Sequence, residues 1–288
     1  MPDDKTDGRP ATGFGARREV IDRQMSPEEI AAETSRGKIA AIFAFVASLT
    51  TIGAFAVRAS ELTTKTKLDD AEALLHLHAH RNGFILYTVL ASIAVACMAP
   101  VLLHMAVAVR SRRTSVQSMV VIFSLAGPLL LALSTPLYTL LRVSAAKDFF
   151  NDPVQTVKHA EDLMNTSALG IVTGMVLAGT VGLAFAFLLV AMNSQRIGLV
   201  TRFFGIIGIV IAVATMFAPL PASVLQVFWL GALGMTFLAP LERRPPAWAA
   251  GHPVEAPRPG RPAADGTADD GKVDPEDPPD FPKATNSE

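Results

Sequence analysis

The strongest constraint on this chain is an uncharged apolar run from Ala168 to Met192. A helix rises about 1.5 Å per residue, so about 20 apolar residues cross a hydrocarbon core of about 30 Å. A segment in lipid must also pair its own backbone N–H and C=O groups, which an isolated apolar run achieves only as a helix. The run therefore predicts a transmembrane helix around which the rest of the chain is organised.

Small residues recur at every fourth position of this run. Gly170, Gly174, Ala178 and Gly182 share one face of the predicted helix. A face without side-chain bulk lets a neighbouring helix approach closely. We expect this face to pack within the protein's own bundle, and the alternative is a homo-oligomer that forms through it.

Further apolar segments predict an all-α fold, a polytopic bundle of six transmembrane helices in a lipid bilayer. Composition agrees, because 50% of the residues are hydrophobic and only 18% are charged, against about 25% charged in soluble domains. The net charge of −1 gives no indication of nucleic-acid binding. The fifth predicted span is the shortest. The spans are placed at about 39–57, 83–109, 117–141, 168–192, 203–218 and 223–241.

Polar segments flank the transmembrane domain, which we place at 38–241. Residues 1–37 form a polar N-terminal arm, within which Ser26 followed by Pro27 indicates a helix start. Residues 242–288 are rich in Pro and Asp and predict a disordered tail. We expect Trp248 to anchor the start of this tail at the membrane interface.

The charges of the connecting segments indicate the orientation. Segments 110–116 and 193–202 carry arginines and no acid, whereas 58–82 and 142–167 balance basic against acidic residues. Short loops rich in Lys and Arg stay in the cytoplasm. The sequence therefore predicts a multi-pass protein with both termini in the cytoplasm.

A histidine cluster before the second span is the most distinctive polar feature. Glu72, His76 and His80 are spaced four residues apart and share a helix face. With His159 from segment 142–167, on the same predicted side, they are candidate zinc ligands, and an open fourth position would make the centre catalytic. The competing interpretation is that these histidines lie near lipid headgroups and pair with acids or water. We expect no cofactor, and zinc is the alternative.

One further histidine, His104, lies inside the second predicted span. An intramembrane histidine is a functional candidate, and haem ligation would need a second axial ligand on a facing helix. We expect a hydrogen bond to a neighbouring helix instead.

The predicted spans contain no Asp, Glu, Lys or Arg. Ion-coupled carriers and proton pumps usually need such residues inside the membrane, so this class is disfavoured. No phosphate-binding loop, dinucleotide fingerprint or nucleophile elbow is present.

Three hypotheses follow. The first is a non-enzymatic protein that acts through helix or partner contacts. The second is a metal-dependent membrane hydrolase. The third is a carrier of a neutral or lipidic substrate, which predicts a polar-lined cavity near the middle of the membrane.

The C-terminal third also resembles a known group of proteins. The segments that carry the resemblance are Gly198–Val210, Val227–Leu238 and the Arg244–Trp248 exit. They are similar to a family of uncharacterised bacterial integral membrane proteins common in actinobacteria. The resemblance implies a plasma-membrane location, and it assigns no catalytic residues.

Overall fold

The computed structural model describes residues 24–61, 69–113 and 118–254. Regular structure in these ranges is helical, and five helices are long and apolar enough to cross a membrane. The predicted all-α membrane bundle is therefore confirmed. In chain order the helices of the described ranges are α1 Pro27–Glu61, α2 Asp70–Ala79, α3 Arg81–Arg112, α4 Met119–Asn151, α5 Val157–Met164, α6 Ser167–Arg196, α7 Arg202–Phe217, α8 Pro219–Leu238 and α9 Pro246–Ala250, with a 3₁₀ turn at Leu241–Arg243.

Each predicted span corresponds to one long helix: α1, α3, α4, α6, α7 or α8. Helix α7 is the one that is not among the five helices long enough to cross a membrane, because its 16 residues give a length of only about 24 Å. It nevertheless connects α6 to α8 as the fifth member of the bundle.

The six long helices form a closed ring. Going round it, α3 packs on α1, α1 on α8, α8 on α7, α7 on α6, α6 on α4 and α4 back on α3. A further contact between α3 and α6 crosses the middle. The shared core contains large side chains such as Leu102, Phe187 and Trp229, all of them buried. The outward faces keep many exposed apolar side chains, which suits a lipid environment.

Helix ends sort into two opposite faces of the bundle. At one face the start of α1, the end of α3, the end of α6 and the exit from α8 meet, as contacts of Arg112 with Glu33 and of Trp248 with Leu199 show. We call this face the arginine end and define it by Glu33, Arg112, Arg244 and Trp248. The opposite face carries α2 and α5, and we call it the histidine end, defined by His76, His78, His80 and His159.

The closest approach between helices joins α4 and α6. A Cβ built on Gly182 would lie 2.8 Å from the Cα of Gly127, and one built on Gly179 would lie 2.7 Å from the backbone N of Leu131. The contact therefore follows the row formed by Gly179 and Gly182, three residues apart. Of the four residues in the repeat, Gly182 packs within the bundle as expected. The repeat does not pack as a unit, because the row of contacts diverges from it.

The remaining members of the repeat face away from the described chain. A Cβ on Gly170 or Gly174 would meet no described atom within 4 Å, and Ala178 is exposed. We call Gly170, Gly174 and Ala178 the vacant outer half of the face, since no described helix packs on them.

A small second core lies beneath α2 and α5 at the histidine end. Leu74 and Leu77 of α2 pack with Phe149 of α4 and Ala160 of α5. Helix α5 begins after Thr156, whose hydroxyl accepts a hydrogen bond from the N–H of His159. In the sequence, Asp152 followed by Pro153 predicts a helix cap at Asp152. This prediction is wrong, because the Asp152 carboxylate accepts from the N–H of Val154 in a turn before α5.

Both boundaries of the predicted transmembrane domain fall inside folded structure. Helix α1 runs unbroken from Pro27, and its start has the expected Ser26 cap, which accepts from the N–H of Glu29 at 3.2 Å. After α8 the chain forms the 3₁₀ turn and α9, so residues 242–254 of the predicted disordered tail are ordered. The disorder predicted for the rest of the tail, and for the arm before residue 24, lies outside the described residues.

Candidate functional site: a buried ion pair at the arginine end

The centre of this site is a bidentate ion pair between α3 and α1. Arg112 donates from Nη1 and Nη2 to the two carboxylate oxygens of Glu33 at 2.8 and 2.7 Å. Arg112 is 0% exposed, and Glu33 is buried beside it. Two parallel charge-assisted hydrogen bonds are a strong arrangement. Because the pair is buried, removal of either partner would leave an unpaired charge in the protein interior, which is destabilising.

Two further donors of Arg112 are also used. Its Nε donates to the carbonyl of Ala247 at 3.0 Å, and Nη1 donates in addition to the carbonyl of Ala108 in the last turn of α3. The guanidinium therefore links three parts of the chain, namely α1, α3 and α9. A single side chain joins the N-terminal helix to the segment that follows the last long helix.

Trp248 covers the ion pair. It is 1% exposed, and its indole N–H donates to the carbonyl of Leu199 at 2.9 Å. The guanidinium carbons of Arg112 and Arg244 lie 5.3 and 5.9 Å from its ring, within range of a cation–π interaction. The expected interfacial position of Trp248 is therefore wrong, because the two buried guanidiniums and the Leu199 carbonyl offer its ring a closed site inside the protein.

Backbone hydrogen bonds hold residues 246–254, which we call the strap, across this face. The N–H of Met25 donates to the carbonyl of Gly251 at 3.0 Å, and the N–H of Val254 donates to the carbonyl of Ile197 at 3.1 Å. Gly251 has φ +67° and Gly198 has φ +76°, a region that glycine occupies without strain. The strap thus runs from the start of α1 to the α6–α7 connection.

Arg244 closes the end of α8. Its Nε and Nη2 donate to the carbonyls of Ala239 and Phe237, at 3.0 and 2.7 Å. These acceptors lie where a helix leaves its last carbonyls unpaired and where its dipole favours a cation. Burial lowers the pKa of Arg244, and the Glu33 carboxylate acts in the opposite direction. The guanidinium remains charged, since arginine keeps its proton in proteins.

His104 lies next to this cluster. Its ring is 5.0 Å from Phe237 and 6.0 Å from Trp248, and its Nε2 has no hydrogen-bond partner among the described residues. The expected hydrogen bond to a neighbouring helix is therefore not formed within the described chain. His104 packs instead as an aromatic ring, close to Gly37 of α1.

The residues of the arginine end, Glu33, Arg112, Arg244 and Trp248, hold chain segments together, and we call them the clamp. Two buried guanidiniums face one carboxylate, and their donors act on backbone carbonyls from α3, α8 and α9. Among the described residues around this pair, no nucleophile forms a hydrogen bond with a general base. What it provides is a fixed connection between the beginning and the end of the described chain.

The sequence-predicted zinc ligands take other partners at the histidine end. The rings of His76 and His80 are stacked with centroids 4.4 Å apart, and the Nδ1 of His80 is 3.1 Å from the carbonyl of His76. His159 Nε2 lies 3.3 Å from the Asp152 carboxylate. Glu72 is exposed, and its N–H donates to the Asp69 side chain.

No three His, Cys, Asp or Glu side chains come together in the described ranges in a way that would hold a metal ion. The set Glu72, His76, His80 and His159 is thus not gathered into one site within the described residues. His78, which the helix spacing directs elsewhere, stacks on Phe150 with ring centroids 4.1 Å apart. Zinc binding stays a prediction.

Comparisons with known proteins returned no match: no family model, no curated protein and no solved structure is similar to this chain. The resemblance to the actinobacterial membrane proteins therefore remains an expectation.

Sequence reasoning missed the residues of the clamp. Glu33 was part of a polar arm and Arg112 part of a basic loop, so each looked solvated. A local signal does exist, since Glu33 stands one turn before Gly37 on the helix face that continues into the buried side of α1. A second signal is the apolar sequence Pro-Ala-Trp-Ala-Ala at 246–250, which is unlike the rest of the tail.

Proposed function

We propose that this protein is a multi-pass protein of the bacterial plasma membrane that acts through contacts with partners in the bilayer rather than through chemistry on a substrate. The observation that carries the proposal is the vacant outer half of the small-residue face of α6. Gly170, Gly174 and Ala178 have no helix of the described chain against them. In lipid, such faces are where helices approach each other.

The partner proposed for this face is a second copy of the chain. Large apolar side chains flank it, with Ile171 67% and Leu177 64% exposed. Close backbone approach at the glycines, with these side chains as the borders, is the packing that a symmetric helix pair uses.

The experiment compares association in lipid nanodiscs or vesicles by energy transfer between two labelled populations. We expect the wild type to associate and Gly170→Leu/Gly174→Leu to lose association, because leucines keep the helices apart. Gly231→Leu on α8 is the matched control, since a Cβ there also meets no described atom within 4 Å. A wild type that stays monomeric at every protein-to-lipid ratio would remove the proposal.

The orientation that we propose has both termini in the cytoplasm. Basic side chains are exposed around the arginine end, and they are Arg36, Lys38, Arg110, Arg196, Arg202 and Arg243. The histidine end mixes exposed cations with exposed acids such as Asp148, Glu161 and Asp162. Exposed acids occur at the arginine end as well, Glu28 and Glu242, but they are outnumbered by its exposed cations. This excess of positive charge supports a cytoplasmic arginine end.

The metal-dependent hydrolase hypothesis has a direct test. It requires a stoichiometric amount of zinc, bound by the wild type and lost in His76→Ala/His80→Ala, when metal content is measured by mass spectrometry. A folded, chelator-free preparation without stoichiometric metal would end this hypothesis.

A second candidate function, a carrier of a neutral substrate, is favoured by one observation. A cavity with largely apolar walls opens between α1, α3 and α8 and reaches the polar side chain of Gln226. Gln226 lies seven residues into α8, about 10 Å along the helix from its first residue. The carrier hypothesis predicts a polar-lined cavity near the middle of the membrane, and the feature that supports it here is the Gln226 amide at this cavity.

A further inference from the structure

The cavity between α1, α3 and α8 has a volume of about 110 Å³, enough for several water molecules or one small organic molecule. Its walls are largely apolar, with Phe55, Ala94 and Met98 among them. Five polar side chains interrupt these walls: Thr51 and Arg58 from α1, Tyr87 from α3, and Ser223 and Gln226 from α8. What Thr51, Ser223 and Gln226 can offer to a ligand follows from the hydrogen bonds that they already make.

The two hydroxyl groups act as acceptors. Thr51 donates its proton to the carbonyl of Ala47 at 2.7 Å, and Ser223 donates its proton to the carbonyl of Pro219 at 2.8 Å. Each hydroxyl has a single proton, so what remains on each oxygen is lone pairs.

The third group is the amide of Gln226, and its orientation is determined by Thr215. The Thr215 hydroxyl donates to the carbonyl of Ile211 at 2.7 Å, so it has to accept from the amide nitrogen of Gln226, which lies 3.2 Å away. The amide oxygen is then the group's remaining polar atom. It receives no hydrogen bond from the described residues, although Gln226 is only 6% exposed.

The oxygen is accessible from the cavity, so a ligand that covers it must either donate a hydrogen bond to it or leave an acceptor unpaired, which is costly. At the mouth, Arg58 lies over the ring of Tyr87, with its guanidinium carbon 5.9 Å from the ring centre. A cationic ligand would meet this charge and would find no carboxylate among the lining residues. The site therefore favours a donor that is neutral.

We propose that this cavity binds a small neutral molecule with an apolar body and a hydrogen-bond donor, such as an alcohol or a phenol, with the donor on the Gln226 amide oxygen. The body of the ligand lies against the apolar walls, and the hydroxyls of Thr51 and Ser223 accept any further donors. The inference deepens the carrier candidate by naming its substrate class.

Phenol and anisole are the probes for this site. They differ in that phenol donates a hydrogen bond and anisole does not. Binding is measured by ligand-observed NMR on the full chain in nanodiscs, against empty nanodiscs to subtract partitioning into lipid. We expect saturable phenol binding, and anisole binding weaker by about tenfold, because leaving a buried acceptor unpaired costs on the order of that factor.

Three variants locate the binding. Gln226→Leu removes the acceptor and Ala91→Leu fills the cavity while leaving the acceptors in place, so each should abolish saturable phenol binding. Thr236→Val, on α8 but not among the residues lining the cavity, should leave it unchanged. Equal binding of phenol and anisole, a phenol signal that survives both leucine variants, or no saturable binding would overturn the site.

Transport is tested separately from binding. Phenol crosses lipid unaided, so flux is followed in proteoliposomes by light scattering with propane-1,2-diol, a neutral donor that carries a methyl group and crosses lipid more slowly. Phenol binding without protein-dependent flux of this diol would leave the site standing and remove the carrier function for this ligand class.

Discussion

Arg112 and Glu33 are 79 residues apart in the sequence, yet the guanidinium of one and the carboxylate of the other form two parallel hydrogen bonds out of contact with water. The pair joins the end of α3 to the first turns of α1. Because the Ala247 carbonyl occupies the Nε donor, the same guanidinium also fixes the strap. The stability of the arginine end should therefore depend on each of these partners.

Removal of one charge of the pair should be costly. Glu33→Ala leaves Arg112 as a buried cation without its carboxylate, and we expect a loss of about 3–5 kcal/mol in the free energy of unfolding. Unfolding in detergent, followed by helix content, measures the loss. Glu28→Ala is the control, since Glu28 is an exposed acid of the same helix.

Replacement of both charges separates pairing from packing. Glu33→Leu/Arg112→Met removes the unpaired charge, so it should be less destabilised than Glu33→Ala. If Glu33→Ala unfolds like the wild type, the ion pair does not hold this end together.

Two truncations test where folded structure ends. A chain that stops after Val254 keeps the strap with Trp248 and should retain wild-type stability. A chain that stops after Pro245 loses Trp248 and the Ala247 carbonyl, and should lose about 3–5 kcal/mol, as for a deleted buried tryptophan. Thermal inactivation of fluorescent fusions in detergent reports both. Equal stability of the two chains would show that the strap contributes nothing.

The close approach of α4 and α6 predicts different outcomes for two glycines of one helix. Gly182→Ala forces the methyl group against the backbone of Gly127, so we expect α4 and α6 to separate at a cost of about 1–3 kcal/mol. Gly174→Ala places the same methyl where no described atom lies within 4 Å, and it should be neutral or slightly stabilising because alanine favours helix. Unfolding midpoints in one detergent compare them, and the reverse order would refute the packing.

The proposed orientation predicts the behaviour of reporter fusions. Alkaline phosphatase, which folds outside the cytoplasm, should be inactive when fused after Val254 and active when fused after Asn165 in the α5–α6 connection. A cytoplasmic fluorescent reporter should give the opposite result. Activity of the phosphatase fused after Val254 would reverse the orientation.

The fold followed from the sequence wherever the signal was local. Apolar length defined the helices, and the weakest of the predicted spans is the helix that falls short of the length criterion, α7. The Ser26 cap was recognisable because the bond that it forms joins residues three apart. The α5 start was misplaced because Asp152 and Thr156 are both good caps, and the choice depends on how α5 packs on Phe149.

The candidate sites were less predictable because their partners are distant in sequence. In the sequence, Arg110 and Arg112 are equivalent basic residues of one short loop, yet Arg112 is buried and Arg110 is exposed. Tryptophan is the residue type expected of an interfacial anchor. Only the arrangement of the helix ends shows that a closed site is available to Trp248. The free oxygen of Gln226 likewise depends on Thr215 and on the shape of three helices.

The strap has a consequence for the order in which this chain is made. Arg112 leaves the ribosome long before Ala247, so the nascent protein holds a cation at the arginine end that has only part of its final set of acceptors. The arginine end is completed when the strap has been translated and has folded back onto α1. A chain that ends within α8 would therefore lack both the Ala247 carbonyl and the Trp248 ring, and its arginine end would stay open.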